Sequence, residues 1–321
     1  MSAHPAAPSG PPATRVGPRG LTPAQQAAWH EQGYLVLPGF KSAQAVAALR
    51  QRALQIVEAF EPGDRLSVFS TRDQARQAAD QAFIDSARGI HCFFEEEAFD
   101  AAGQLRQPKA LSINKIGHAL HDRDPLFDAF SRGPALADLA ADLGLQDPRI
   151  WQSMLIFKQP GIGGEVRWHQ DATFLHSTPI TVTGFWFALE DATRDNGCLW
   201  VEPGGHRGPL RERFVRRAAI KESAGVPTQP AATAAPMPAP APELGLQPLD
   251  TTPWPDTASA LPVEVPAGTL VCLHGLLPHY SAPNRSAQSR QAYTLHTVDA
   301  GSAWSADNWL QRPAALPLRG F

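Results

Sequence analysis

After Arg149 the chain breaks into short apolar runs separated by turn residues, and this pattern constrains the fold more than any other feature. The runs are Ile150–Lys158, the segment around His169, Val182–Leu189, Cys198–Val201, Val263–Val265, Thr269–His274 and Gln288–Val298. Many short strands punctuated by Gly, Pro and Asn fold as a sandwich or a barrel, because a single strand cannot bury its apolar face alone. Asp195-Asn196-Gly197 reads as a hairpin-type turn between two of them.

Before Arg149 the periodicity is helical. Thr22 is placed to cap a first helix, with Pro23 in its first turn, Gln25 completing a capping box and Gly33 ending it. Tyr34–Leu37 reads as a short strand. A second helix starts at Ser42 and carries Val46, Leu49, Ala53, Ile56, Val57 and Phe60 at helical spacing. Thr71–Phe83 reads as a third, more polar helix, Gly89–Phe94 as extended, and Glu95-Glu96-Glu97 as a solvated turn or helix start. A strand through Lys115 follows, then two helices, Pro125–Arg132 and Pro134–Leu143, the second ending at Gly144. Helices followed by strands make the class α+β, mainly β. A chain of 321 residues suggests about two domains, but barrels and sandwiches use about 200–250 residues as one. We therefore expect a single domain over 21–321.

Two stretches stand apart. Residues 1–20 are rich in Pro, Ala and Gly, the composition of a disordered tail. Pro227–Pro262 holds ten prolines, which reads as a long surface loop inserted at about 223–262, either a tolerated linker or a lid over a site.

The chemistry concentrates at His169-Gln170-Asp171. In an extended segment, residues i and i+2 share a face about 6–7 Å apart, so an imidazole and a carboxylate can close on one metal ion. His279, shortly after the apolar run Thr269–His274, is the candidate third ligand. Two histidines and one carboxylate form the facial triad of non-haem Fe(II) oxygenases, which leaves coordination positions open. Arg290 follows His279 by eleven residues, and arginine grips a carboxylate with two parallel hydrogen bonds. Strand alternation puts Arg290, Ala292, Thr294 and His296 on one face, with small residues beside the arginine.

In this layout the chain resembles the phytanoyl-CoA dioxygenase family from about Thr22 to Leu316, the proline-rich stretch apart. The specific pieces are Ser112–His121, Phe157–Pro160 with Gly163–Val166, His169–Ala172, Glu190–Thr193 with Asn196–Trp200, and Ser289–His296. The resemblance implies a double-stranded β-helix, a cupin-like jelly roll flanked by N-terminal helices. It implies Fe(II) on His169, Asp171 and His279, 2-oxoglutarate as co-substrate with its distal carboxylate on Arg290, O2 as oxidant, and ascorbate as a candidate reductant. Lys115, Met154 and Trp186 match positions that line the 2-oxoglutarate pocket of similar proteins. Asp171 argues against a halogenase, which has a smaller residue there. Two departures are Trp168, whose ring would narrow the substrate side, and Gly205, which replaces the serine of a Pro-Gly-Ser-His turn.

Other features read more plainly. His118-x-x-His121 has no carboxylate or cysteine at ligand spacing and reads as structural or as pocket wall. His274 competes with His279, but only His279 stands at the family's distance from Arg290. Arg207, Arg211, Arg213, Arg216, Arg217 and Lys221 read as a solvated helix face rather than a collar that draws in an anionic substrate, since Glu212 and Glu222 interrupt the charge. A formal charge of -3 gives no reason to expect nucleic acid or an anionic membrane as partner. Cys92, Cys198 and Cys272 form no Cys-x-x-Cys pair, and no stretch is long enough to span a bilayer, so a cytoplasmic protein is expected. The function expected is a dioxygenase that hydroxylates a small molecule with release of succinate and CO2. The alternatives are a 2-oxoglutarate and metal-binding protein without turnover, a zinc hydrolase on the same ligands, and an interaction module built on the proline-rich segment. Substrate and oligomeric state stay open.

Overall fold

The structure, a computed structural model, describes residues 20–62, 67–69, 81–217 and 243–321. The expected tail, most of the third helix and the centre of the proline-rich stretch lie outside the described residues.

Six α-helices are described: α1 (Pro23–Gln32), α2 (Ala43–Ala59), α3 (Gln81–Asp85), α4 (Leu120–Arg123), α5 (Pro125–Ser131) and α6 (Pro134–Asp142). The first forms as its sequence dictates. Thr22 and Gln25 exchange the reciprocal bonds of a capping box, and Gly33 closes the helix at φ 77°. Ser42 caps α2, which buries Val46, Leu49, Ala53 and Val57.

The strands are β1 (Tyr34–Leu37), β2 (Ile90–Phe94), β3 (Ile113–His118), β4 (Pro148–Lys158), β5 (Val166–His169), β6 (Ser177–Thr178), β7 (Thr183–Ala188) and β8 (Leu199–Val201). They continue as β9 (Glu212–Arg217), β10 (Glu243–Pro248), β11 (Leu261–Val263), β12 (Leu270–His274), β13 (His279–Ser281), β14 (Arg290–Asp299) and β15 (Ala303–Trp304). Seven strands form a major antiparallel sheet in the order β1-β12-β7-β14-β4-β3-β2, and four form a minor sheet in the order β11-β8-β13-β5. This is a jelly roll with helices against one face, as expected. One core, which includes Leu49, Val57, Phe127, Leu139, Phe187 and Tyr293, lies between the major sheet and the helices. A second, with Trp186, Leu199, Val201 and Val271, lies between the two sheets.

Three expectations are corrected. The proline-rich stretch holds regular structure at its end: β10 pairs with β9 over six residues, and β11 pairs with β8. Pro248 is tolerated because it is the last residue of an edge strand that lacks a second neighbour among the described residues. The described part of the arginine cluster is likewise no α-helix face, and Lys221 and Glu222 lie outside the described residues. Arg213 and Arg216 lie on β9, and the neighbouring Arg211 is 5% exposed, 4.7 Å from the Trp254 ring and 3.2 Å from Glu202. Asp195–Gly197 turns the chain, with Gly197 at φ 87°, but its flanking strands β7 and β8 belong to different sheets, so it is a crossover and not a hairpin.

Candidate metal centre and its cavity

β5 and β13 run antiparallel with His169 directly opposite His279. That register brings the two imidazoles to a centroid distance of 4.1 Å. Asp171 does not lie on the strand. β5 stops at His169, and Asp171 opens a 3-10 turn over Asp171–Thr173. The turn, and not strand alternation, swings the carboxylate toward the histidines. Its Oδ1 stands 3.8 Å from His169 Nε2 and 3.6 Å from His279 Nε2. These separations are too long for hydrogen bonds. They suit donors each about 2 Å from one shared ion. One ligand atom from each of the three residues falls within 4.8 Å of the others, and no other group of three such side chains does so among the described residues.

The tautomers agree with that use. His169 Nδ1 lies 2.8 Å from the Arg167 carbonyl, and His279 Nδ1 lies 3.0 Å from the Leu277 carbonyl. A carbonyl only accepts, so each Nδ1 carries the proton and each Nε2 presents a lone pair to the centre. Burial, with His279 alongside, pushes His169 down to about 3, so its imidazole is neutral at physiological pH. Burial alone would raise the Asp171 carboxyl, but His296 and His279 outweigh it and hold the group well below the usual carboxylate range.

His296 is a residue that sequence reasoning placed on the right face but gave no role. Its Nε2 stands 3.3 Å from Asp171 Oδ2, and its Nδ1 stands 3.1 Å from Gln152 Nε2. The Gln152 amide donates to Nδ1, so Nε2 carries the ring hydrogen and stands near Asp171 Oδ2, which has no formed hydrogen bond among the described residues. Gly184, opposite His296 in the β7–β14 register, makes the room. A Cβ there would fall 2.7 Å from Asp171 Oδ2.

Arg290 begins β14 and is 1% exposed. Its Nε donates to the Gly197 carbonyl at 3.1 Å and its Nη2 to Ser281 Oγ at 3.3 Å, while Nη1 has no hydrogen-bond partner among the described residues. Burial pushes the guanidinium down to about 10, so it stays charged. Trp186 lies beneath it, 5.5 Å from ring centroid to guanidinium carbon. Lys115, also buried, places Nζ 3.2 Å from the Phe69 ring centroid and 4.0 Å from Met154 Sδ. Burial brings its amine down to about 7 despite Glu95.

Lys115, Met154, Trp186 and Arg290 therefore converge on one cavity of about 180 Å³, together with His169, Asp171 and His279. Much of its wall is apolar or aromatic, including Phe69, Phe174, Phe185, Phe214 and Leu246. Phe214 and Leu246 come from the β9–β10 pair. Trp168 also lines the cavity, stacked on Tyr280 at 5.3 Å.

Lys158 is a second residue without an assigned role. It lies opposite Arg290 in the β4–β14 register. Its Nζ donates to the carbonyls of Gly164, Ser281 and Ala282 at 2.6, 3.1 and 2.6 Å, tying β4 to the segments that carry both metal-facing strands. Glu95, expected in solvent, is 1% exposed and accepts from Asn114 and the Gly164 amide. His274 packs between Trp29 and His206, away from the three-residue cluster. His118 ends β3 and faces the cavity, whereas His121 lies in α4 bonded to Ser153, so the two do not pair on a helix. At Gly205 a Cβ would meet Glu202 Oε2 at 2.6 Å and Pro278 Cδ at 2.8 Å, which explains the missing serine.

The sequence model of the phytanoyl-CoA dioxygenase (PhyH) family matches residues 29–292. The chain is 42% identical over 298 residues to a phytanoyl-CoA dioxygenase of Arabidopsis thaliana, covering 92% of this chain and 95% of that one. It is 42% identical over 304 residues to phytanoyl-CoA dioxygenase domain-containing protein 1 of Bos taurus, covering 93% and 97%. Among solved structures it is similar to EvdO2 of Micromonospora carbonacea complexed with 2-oxoglutarate, at TM-score 0.53 and 22% identity over 92% of this chain and 99% of that one. It is also similar to the alpha-ketoglutarate-dependent carbocyclase SnoK, at TM-score 0.57 and 16% identity over 93% and 96%. At these identities the two structures speak for the fold alone.

Proposed function

This chain belongs to the phytanoyl-CoA dioxygenase family, and on that premise we propose that it is an Fe(II)- and 2-oxoglutarate-dependent dioxygenase that hydroxylates a small organic substrate. The observation that carries the reading is the donor set. Two imidazoles present Nε2 lone pairs, and an ionised carboxylate stands between them. Such a set fits a divalent ion and leaves open positions. The neighbouring charge fits the co-substrate. Arg290 is a buried cation in the same cavity as Lys115, whose amine is charged below about pH 7, and Arg290 Nη1 lacks a hydrogen-bond partner among the described residues. A buried cation needs an anionic ligand, and a dicarboxylate supplies one end for the metal and one for Arg290.

His169, Asp171 and His279 would hold Fe(II), and Arg290, Lys115, Met154 and Trp186 would seat 2-oxoglutarate. When bound, the pair would supply O2 activation, with oxidative decarboxylation to succinate and CO2 coupled to oxygen insertion into a C–H bond. The chain's own part is positioning. The Arg167 and Leu277 carbonyls fix both imidazoles, and His296 steadies Asp171 from its far oxygen. Gly197 and Ser281 hold two guanidinium nitrogens, and the third, Nη1, is left to take the ligand carboxylate. The aromatic wall surrounds these contacts with apolar surface, which strengthens each of them. The reading is tested by O2-dependent succinate formation from 2-oxoglutarate by the purified chain with Fe(II) and ascorbate. Succinate formation without O2, or with Zn(II) in place of Fe(II), would point to another chemistry.

A further inference from the structure

We infer that His118 is the hydrogen-bond acceptor for the substrate, and that the substrate is a small, ring-bearing, largely apolar molecule carrying a hydroxyl or amide N–H donor. The chemistry done on it rests on the oxygenase reading; its binding does not.

His118 ends β3, three residues after Lys115. It is 2% exposed, yet it lines the cavity that His169 and Asp171 also line. Three aromatic rings enclose it. Trp309 and Phe83 present their rings edge-on at 5.0 and 5.5 Å, and Phe93 lies tilted at 6.0 Å. Phe83 and Trp309 stack on each other at 4.5 Å. Flat apolar walls of this kind favour a ring.

The tautomer follows from one hydroxyl. Ser86 Oγ donates its only hydrogen to the Phe83 carbonyl at 2.5 Å. Its 2.7 Å contact with His118 must therefore run the other way, from Nδ1–H to Oγ. Nε2 then carries a lone pair, and no hydrogen bond to it is seen among the described residues. Burial, reinforced by Lys115, His91 and His296, holds the ring well below its ordinary value, so it stays neutral. His118 lines the cavity, so a lone pair on its free nitrogen is open to the ligand space and is a place for a donor.

The co-substrate cannot be that donor. 2-Oxoglutarate at neutral pH offers two carboxylates and a ketone, all acceptors, and a lone pair on Nε2 repels each of them. Arg290 and Lys115 meet its needs, and His118 is left for the other organic ligand.

The test is a titration of the full chain, without added metal or 2-oxoglutarate, by tryptophan fluorescence, since Trp186 and Trp309 line the cavity. The probes are 4-ethylphenol and 1-ethyl-4-fluorobenzene, close in size and shape, of which only the phenol donates a hydrogen bond. Wild type should bind the phenol about tenfold or more tightly, the range expected for one buried hydrogen bond made or left unmade. His118→Phe should bring the two within about twofold, and Ser86→Ala, which keeps the cavity and releases the tautomer, should reduce the ratio. Equal affinities in wild type, a ratio that survives His118→Phe, or no binding of either probe would overturn the inference. Loss of succinate formation with the probe preference intact would instead sink the oxygenase reading and leave the anchor standing.

Discussion

His296 Nε2 stands 3.3 Å from Asp171 Oδ2, while Asp171 Oδ1 faces the two histidines of the candidate metal centre. A residue on the major sheet thus stands behind the carboxylate, and Gly184 on the neighbouring strand leaves the space it occupies. The site is assembled across the two sheets. β5 and β13 of the minor sheet bring the imidazoles, and β14 of the major sheet brings both His296 and Arg290.

Removing this support should loosen the metal without unfolding the chain. His296→Ala is expected to weaken Co(II) binding by about 10–100-fold, the usual cost of losing an outer partner of a ligand. Gly184→Ala places a methyl 2.7 Å from Oδ2 and should do the same. Absorbance titration with Co(II) reads the affinity, and circular dichroism checks the fold. Unchanged affinity in both variants would remove the support role.

Arg290 should not tolerate lysine. Its Nε and Nη2 are spent on Gly197 and Ser281, so only the planar fork leaves a third donor for the ligand. Arg290→Lys is expected to weaken 2-oxoglutarate binding by about 10–100-fold while Co(II) affinity stays within about twofold. Calorimetric titration separates the two.

Lys115 predicts a pH dependence. Burial lowers its amine from the ordinary 10.5 to about 7, so in the free protein it is charged below that pH and neutral above it. A dicarboxylate binds the charged form better. Affinity for 2-oxoglutarate should therefore be full below about pH 7 and fall with rising pH, by at most about tenfold per unit. For folding the sign is opposite. Between about 7 and 10.5 the unfolded chain binds more protons at this site, so stability from this group rises with pH. Lys115→Met should flatten both slopes. A wild-type affinity that does not change between pH 6 and 9 would contradict the assignment.

Lys158 acts on stability. Its ammonium satisfies three carbonyls, two of them on the stretch that follows His279. Each buried carbonyl left unpaired costs about 1–3 kcal/mol, so Lys158→Met should lower the unfolding free energy by about 3 kcal/mol or more. Urea unfolding measures it, and a loss below about 1 kcal/mol would show that the carbonyls find other donors.

The parts of this architecture visible in the sequence are those set by neighbours along the chain. The α1 capping box, the Ser42 cap and the Gly33 stop depend on residues three or four apart, and they formed as read. The face shared by Arg290, Thr294 and His296 follows from strand alternation, and all three line the cavity. What could not be read was register between distant strands. Nothing in His296 itself reveals that Asp171 crosses to it, and nothing in Lys158 reveals that it lies opposite Arg290. Lys158 did carry a signal, as one of five lysines and the only one that directly follows the run Leu155-Ile156-Phe157. The proline-rich stretch misled because its composition was averaged. Leu244 and Leu246 alternate between Pro242 and Pro248, and that local pattern is the one β10 obeys.

The most direct test of the central claim is anaerobic equilibrium binding of radiolabelled 2-oxoglutarate to the purified chain, with and without Fe(II), beside His169→Ala and Arg290→Ala. The account predicts one 2-oxoglutarate per chain, bound tightly only with Fe(II), with the metal-dependent gain lost in His169→Ala and the remaining affinity lost in Arg290→Ala. Binding indifferent to Fe(II) and to both substitutions would contradict it.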